Sequence, residues 1–455
     1  MANKQESIAP NKNKLGIFSI CLLGVNAIVG SGIFLLPGNV AKETGVWSIG
    51  VILFDAFLVL LIALCFAEAG GLFKKNGGPY VYAKEAFGEF VGFEVGFMKW
   101  AIMLIAWAAM AVAFYTALSN EFPILNSTLW KNTISIAMIV LLTIMNLLGV
   151  RVSKILNNVI TLAKLLPLIF FVLAGIFYIK GSNFSFPIIF SFRTPAIVEG
   201  GFEVHEVITS LSLTGFGAGA LLAFYAFTGF ESIAVAAEDM ERPERNVPLA
   251  IILVIACVST FYLLILVVSI GILGQDLIRN PAIKAPIATA AGVFLGPVAK
   301  AIVSAGTLVS IGGINLASSF LVPRSSVALA DDGFLPGFMK MRNKKEVPYI
   351  SIIVSGLFTA LICLTGSFTA LLAISVISRF AQYIPTCLSI MVFRRRGMKS
   401  TFRIPLGWTV PILAVLVSLY LLANSDWKKI LFGLGGLGVG AVLYIIMKLT
   451  TKKSS

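Results

Sequence analysis

Apolar stretches of roughly twenty residues follow one another from Leu15 to Met447, parted by short polar or turn-rich connections. A helix needs ~20 mostly apolar residues to cross a bilayer, so this recurrence limits the chain to very few architectures. Composition agrees. Of 455 residues, 58% are in the AVILMFWYC set and 12% are charged, with a mean hydropathy of +0.95. Soluble chains carry ~25% charged residues. A water-soluble body cannot bury that much apolar surface, which excludes a soluble enzyme, a disordered regulator and a secreted disulfide scaffold.

The stretches fall near 15–41, 47–70, 88–119, 131–150, 155–179, 211–237, 248–273, 290–329, 348–366, 368–391, 405–424 and 428–447. The expected fold is therefore an all-α polytopic membrane protein with 12 transmembrane helices and both termini on one side. Basic residues orient it. With the N-terminus inside, cytoplasmic segments hold 23 of the 35 Lys and Arg, external segments eight, and spans four: Lys99, Lys164, Lys300 and Arg379. Membrane proteins retain Lys and Arg in cytoplasmic loops, so a cytoplasmic N-terminus and C-terminus are expected and the net charge of +14 needs no nucleic-acid partner. The first span is expected to be its own uncleaved insertion signal, because no small-residue cleavage site follows it.

Five cysteines lie scattered inside apolar stretches without metal or redox spacing, and His205 is the single histidine. Neither a metal centre nor a histidine relay is indicated, so no cofactor and no enzymatic activity is expected.

Two spans carry breaks. The first reads Gly24-Val25-Asn26-Ala27-Ile28-Val29-Gly30-Ser31-Gly32-Ile33-Phe34, with Pro37 a turn later, and the sixth reads Phe224-Tyr225-Ala226-Phe227-Thr228-Gly229-Phe230-Glu231. Glycine in a span can simply allow close helix packing. Two interruptions in segments one and six, however, sit where inverted five-helix repeats place discontinuous helices. A break frees N–H groups at the start of one half-helix and C=O groups at the end of the other. The first attract a carboxylate and the second an ammonium, so opposed half-helices can hold a zwitterionic amino acid. Gly30 and Gly32 allow close approach to the main chain, and Ser31 adds a hydroxyl. Gly32→Leu is accordingly expected to abolish substrate binding while sparing insertion.

Gly30-Ser31-Gly32-Ile33-Phe34-Leu35-Leu36-Pro37 and Phe227-Thr228-Gly229-Phe230-Glu231 resemble signatures of the amino acid–polyamine–organocation (APC) superfamily. So do Ala67-Glu68 followed by Gly77-Gly78-Pro79-Tyr80-Val81-Tyr82, the stretch 238–248, and Arg324 to Pro336. The resemblance runs in order from about Gly16 to Arg396. The branch is similar to the basic amino acid/polyamine antiporters and to bacterial relatives of the light chains of heteromeric amino acid transporters. It implies a LeuT-type fold of two inverted five-helix repeats (15–180 and 181–391), two further helices (392–447), and cytoplasmic tails at 1–14 and 448–455. It also implies that the substrate carboxylate meets Gly30, Ser31 and Gly32. The ammonium would meet carbonyls near Ala27 and Ile28, and near Tyr225 and Thr228. Tyr225 stands where relatives have a large aromatic that closes over the substrate.

An ammonium at mid-bilayer costs ~2.5–3.5 kcal/mol on insertion scales, so Lys164 should face the protein interior unless it snorkels to the edge. The resemblance implies that its amine takes the space of a sodium ion and contacts the broken first helix, hence transport without sodium; proton coupling is conceivable. Glu231 opens the inner half of span six, where a helix N-terminus favours a carboxyl; a gate and a structural cap are both consistent with it. For most of Arg379, Lys99, Asp55 and Glu94, pairing or edge positions are expected. Asn246 reads as an N-cap, with Pro248 in the first helical turn.

The function expected is secondary active amino acid transport across the plasma membrane by alternating access, as exchanger or proton symporter, for neutral substrates. A cationic amino acid or amine antiporter is the alternative, and an amino-acid-binding membrane sensor is the alternative from another class. The expected partners are the amino acid, the lipid bilayer and, if coupled, protons. No oligomeric partner is indicated.

Overall fold

A computed structural model of the chain describes residues 15–73, 78–149, 154–184, 189–198, 201–210, 213–235, 240–280, 283 and 285–451. The tail 1–14 lies outside the described residues. Helices occupy each of the apolar stretches. The first half comprises α1 (Ile17–Ile28), α2 (Ser31–Thr44), α3 (Ser48–Gly70), α4 (Pro79–Phe87), α5 (Glu89–Glu121), α6 (Thr128–Leu147) and α7 (Lys154–Gly175). The second comprises α8 (Leu213–Ala226), α9 (Glu231–Val235), α10 (Pro243–Leu273), α11 (Asp276–Arg279), α12 (Pro286–Asp331), α13 (Tyr349–Thr365) and α14 (Phe368–Arg395). Helices α15 (Thr409–Ala423) and α16 (Trp427–Thr451) close the chain.

Among the described residues, seven helices are long and apolar enough to cross a membrane. The pair α1 and α2 qualifies as one further span bent by 45°, and four shorter apolar helices lie at Leu162–Tyr178, Gly215–Ala226, Tyr349–Thr365 and Thr409–Ala423. The chain is thus a polytopic helical membrane protein. Its outer helices present large apolar side chains: Leu141 and Ile144 of α6, and Phe432, Val442 and Leu449 of α16, are all exposed. In water that surface would be untenable; in lipid it is the expected contact.

Local sequence sets the boundaries. Ser127 and Ser367 cap α6 and α14, each accepting a hydrogen bond from a backbone N–H three residues on. Pro79 opens α4 where its missing N–H costs nothing. Gly296, at φ +74°, kinks α12.

Two differences from the sequence reading stand out. Residues 189–198 and 201–210 form an antiparallel hairpin, β1 with β2, in register Ile189↔Ser210 through Val198↔Gly201. It lies between α7 and α8, in a connection whose apolar runs are too short to read as a span. Asn246 is not an N-cap. Pro243 opens α10 three residues earlier, and the Asn246 amide instead donates to the Glu241 carbonyl at 2.5 Å.

Candidate functional site: two facing helix breaks

The first span is interrupted after Ile28. Val29 (ψ +97°) and Gly30 (φ −130°, ψ −151°) are extended, and α2 restarts at Ser31. The sixth stretch is interrupted between Ala226 and Glu231, with Gly229 at φ +117°. The two breaks touch main chain to main chain. A Cβ on Gly229 would lie 2.4 Å from the Ala27 carbonyl oxygen, and one on Gly32 would lie 2.8 Å from Ala226 Cα. Only glycine permits either approach. A leucine at Gly32 would have to force α2 and α8 apart, so Gly32→Leu disturbs the joint itself as well as the amides expected to meet the carboxylate.

Lys164 serves the first break. It is fully buried, and its Nζ donates to the carbonyls of Asn26 and Val29, each at 2.7 Å. Helix α7 can bring it there because Pro167 seats against Gly306 of α12, where a Cβ would sit 2.4 Å from the proline ring. Tyr262 of α10 donates to the Ile28 carbonyl at 3.2 Å. The freed carbonyl end of α1 is thus held by donors from two neighbouring helices. At the amide end the N-cap is Gly30, which has no side chain to cap with. No side chain among the described residues accepts from the first amides of α2.

The second break is served differently. Thr228 folds back on Tyr225, its N–H (3.0 Å) and its hydroxyl (2.8 Å) both donating to the Tyr225 carbonyl. Glu231 accepts from the Gly229 N–H at 2.9 Å and from the Tyr383 hydroxyl at 3.1 Å, and is ion-paired with Arg379. Arg379 and Tyr383 both belong to α14, so the carboxylate ties the break to that helix. Around it pack Phe66, Phe224, Phe230 and Phe380.

Every sequence-selected site residue except Lys164 lies on one break or the other: Ala27, Ile28, Gly30, Ser31 and Gly32 on the first, Tyr225, Thr228 and Glu231 on the second. Tyr225 is buried, edge-on to Phe368 with ring centroids 6.4 Å apart. Three contacts escaped sequence reasoning. The Ser31 hydroxyl donates to Met110 Sδ at 3.2 Å. A Cβ on Gly30 would meet Ile314 Cδ1 at 2.7 Å and Met110 Cε at 3.6 Å. Met110 and Ile314, from α5 and α12, therefore fill the space beside the break, and Tyr262 braces it. An apolar residue in a long apolar helix carries no local mark of such a place.

At the Gly70 end of α3 a second buried ion pair forms. Arg394 donates to Glu68 through Nε at 2.6 Å and Nη2 at 2.5 Å, and the same carboxylate accepts from the Ile404 N–H at 2.7 Å. Ser400 donates to the Glu68 carbonyl at 2.8 Å, and Thr401 to that of Glu244. The segment after α14 is thereby fastened across α3 and α10.

The profile of the amino acid permease family matches residues 15–444, nearly the entire chain. This chain belongs to the amino acid permease family, within the APC superfamily. An uncharacterized transporter of Mycobacterium tuberculosis (strain ATCC 25618 / H37Rv) is 31% identical over 96% of this chain and 92% of its own length. The branched-chain amino acid permease of Bacillus subtilis (strain 168) is 24% identical, covering 96% of this chain and 93% of the relative. The serine/threonine exchanger of the same organism is 27% identical, covering 94% and 96%. Family and relatives are transporters rather than enzymes, and the helical, lipid-compatible body agrees with them.

Proposed function

We propose that the protein is a sodium-independent secondary transporter of neutral amino acids in the plasma membrane, working by alternating access as an exchanger or a proton symporter. The observation that carries this reading is the Lys164 Nζ, which donates to two carbonyls of the first break. A resident cation there already satisfies the oxygens that a sodium ion would need. The substrate carboxylate would take the uncapped amides around Gly30, Ser31 and Gly32, where helix geometry favours an anion. Its ammonium would meet carbonyls near Ala27 and Ile28 and near Tyr225 and Thr228. Tyr225 and Glu231 are the gating residues, the first beside Phe368 and the second through its ties to α14.

Neutral substrates are favoured because Glu231, the acid beside the site, is already committed to Arg379. The names of the branched-chain and serine/threonine relatives are consistent with that choice.

The topology read here is twelve spans with cytoplasmic termini, residues 15–180 and 181–391 forming inverted repeats and 392–447 two added helices. Helix pairing supports the correspondence of the two repeats. Exchanging the first five spans for the second five sends the α5–α14 contact onto α12–α7 and the α3–α8 contact onto α10–α1, while α3–α10, α5–α12 and α6–α13 map onto themselves.

The test is uptake of L-[3H]leucine and L-[3H]serine into proteoliposomes, empty or preloaded, with sodium or choline outside. Uptake indifferent to the cation is expected. A steep sodium requirement would overturn sodium independence, and absence of uptake and exchange of both probes would overturn the transport reading.

A further inference from the structure

Asp55 is fully buried in α3, and neither carboxyl oxygen has a hydrogen-bond partner. It is the eighth residue of a 23-residue helix, about 10 Å along the axis from its start. Among Arg379, Lys99, Asp55 and Glu94, most of which are expected to be paired or at an edge, Asp55 has no hydrogen-bond partner among the described residues. By contrast, Glu68, on the same helix, accepts three strong hydrogen bonds.

Helix α3 packs against α2, α8, α9, α10, α14 and α15. The titratable groups those helices carry are committed elsewhere or make no bond to Asp55. Tyr262 donates to Ile28; Glu231, Arg379 and Tyr383 bind one another; Arg394 binds Glu68. Glu244, Arg245 and Arg395 lie toward the Gly70 end, where Val247 meets Gly70 and Arg394 meets Glu68. Lys42, Glu43, Tyr225, Cys257, Cys387 and Tyr420 make no hydrogen bond to the carboxyl, whose two oxygens have none. A bare carboxylate sealed from water without a donor is very costly. A neutral carboxylic acid is much less so.

The surroundings supply a route for change. Ile52 is one helical turn before Asp55 on the same face, and it lines a small apolar cavity with Gly32, Pro37, Ala226 and Tyr262. Helix α10, packed along α3, carries the tyrosine that holds the Ile28 carbonyl at the first break. Opening that break would disturb Tyr262 and with it the cavity lined by Ile52, one turn from Asp55.

We propose that Asp55 is a proton-binding site, its carboxyl holding a proton while the first break is closed and releasing it when the break opens, so that a proton travels with the amino acid. The proton is taken up from one compartment and released to the other, so the carboxyl returns to its starting state each cycle. The proposal rests on the transport reading above and adds the coupled ion and its carrier. Lys164, fixed by two carbonyls, is assigned no proton here.

The experiment uses the full-length protein in proteoliposomes containing pyranine, with L-[3H]leucine and L-[3H]serine as probes and an inward gradient of one pH unit. That gradient is worth about 1.4 kcal/mol, or about tenfold accumulation for one proton per substrate. The parent is expected to acidify the lumen during uptake and to approach that accumulation. Asp55→Asn, nearly isosteric and permanently neutral, is expected to lose both accumulation and acidification while still exchanging label into preloaded vesicles. Asp55→Glu is expected to retain acidification, which separates proton binding from packing. Acidification that persists in Asp55→Asn, or a parent that moves either probe without protons, would overturn the proposal and leave transport standing. A parent inert toward both probes in every arm would overturn transport and the proposal together.

Discussion

The break after Ile28 and the break between Ala226 and Glu231 face each other, yet their exposed backbone groups are satisfied in opposite ways. At the first, the carbonyl end is held by donors from other helices, Lys164 of α7 and Tyr262 of α10, and the amide end has no side-chain cap. At the second, the chain supplies its own anion: Glu231 caps Gly229 and is held by Arg379 and Tyr383 of α14. One break therefore has an anion built in, and the other has amides without a side-chain cap. In the transport reading proposed above, that difference favours the first break for the substrate carboxylate and the second as scaffold.

Substitutions can break or sharpen this contrast. The largest effect is expected at the joint. Gly229→Val combines a disfavoured positive φ with an overlap against the Ala27 carbonyl. Strain and overpacking together are of order 2–5 kcal/mol, so monodisperse yield and thermal stability in detergent should collapse; a parent-like melting temperature would show that the breaks do not touch as described. Comparable in size is Glu231→Gln, which leaves buried Arg379 without its counter-charge and should cost about 3–5 kcal/mol. Pairing it with Arg379→Met should recover part of that loss in a double-mutant cycle, and strict additivity would argue against a coupled pair.

Lys164→Met should separate stability from transport. Losing hydrogen bonds from a charged donor is offset by no longer burying an ammonium, so the net stability loss is expected near ~1–2 kcal/mol. Uptake, in contrast, should fall steeply, because the first break loses its internal cation. Unchanged uptake in a folded Lys164→Met protein would remove Lys164 from the mechanism. The smallest effect is expected for Tyr262→Phe, which deletes one neutral hydrogen bond to Ile28, about 1 kcal/mol. A melting shift as large as that of Glu231→Gln would mean that the first break depends on α10 more than on α7.

Much of this arrangement could be read along the chain. The breaks were legible because Gly30-Ser31-Gly32 and Thr228-Gly229-Phe230-Glu231 interrupt apolar runs, and a broken helix in lipid needs a reason. Lys164 was legible as a charge in a span. What filled the space beside the breaks was not. Met110 and Ile314 are ordinary core residues in ordinary positions, 79 residues from Ser31 in the case of Met110, and only tertiary packing singles them out. The partner of Arg379 was hidden for the same reason, being 148 residues away. Asn246 misled because its side chain can reach either its own helix start or the preceding turn, and Pro243 decided between them.

The contact of Gly229 with Ala27 and of Gly32 with Ala226 brings two main chains together with no side chain between them. Side chains absorb small displacements by changing rotamer; peptide planes have no such freedom. A joint made this way cannot loosen by degrees. It is seated or it is parted, as closely packed interfaces tend to be bistable rather than elastic. In the alternating-access reading proposed above, such a joint is a latch with two positions, and intermediate openings that would leak solute have no packing to stabilise them.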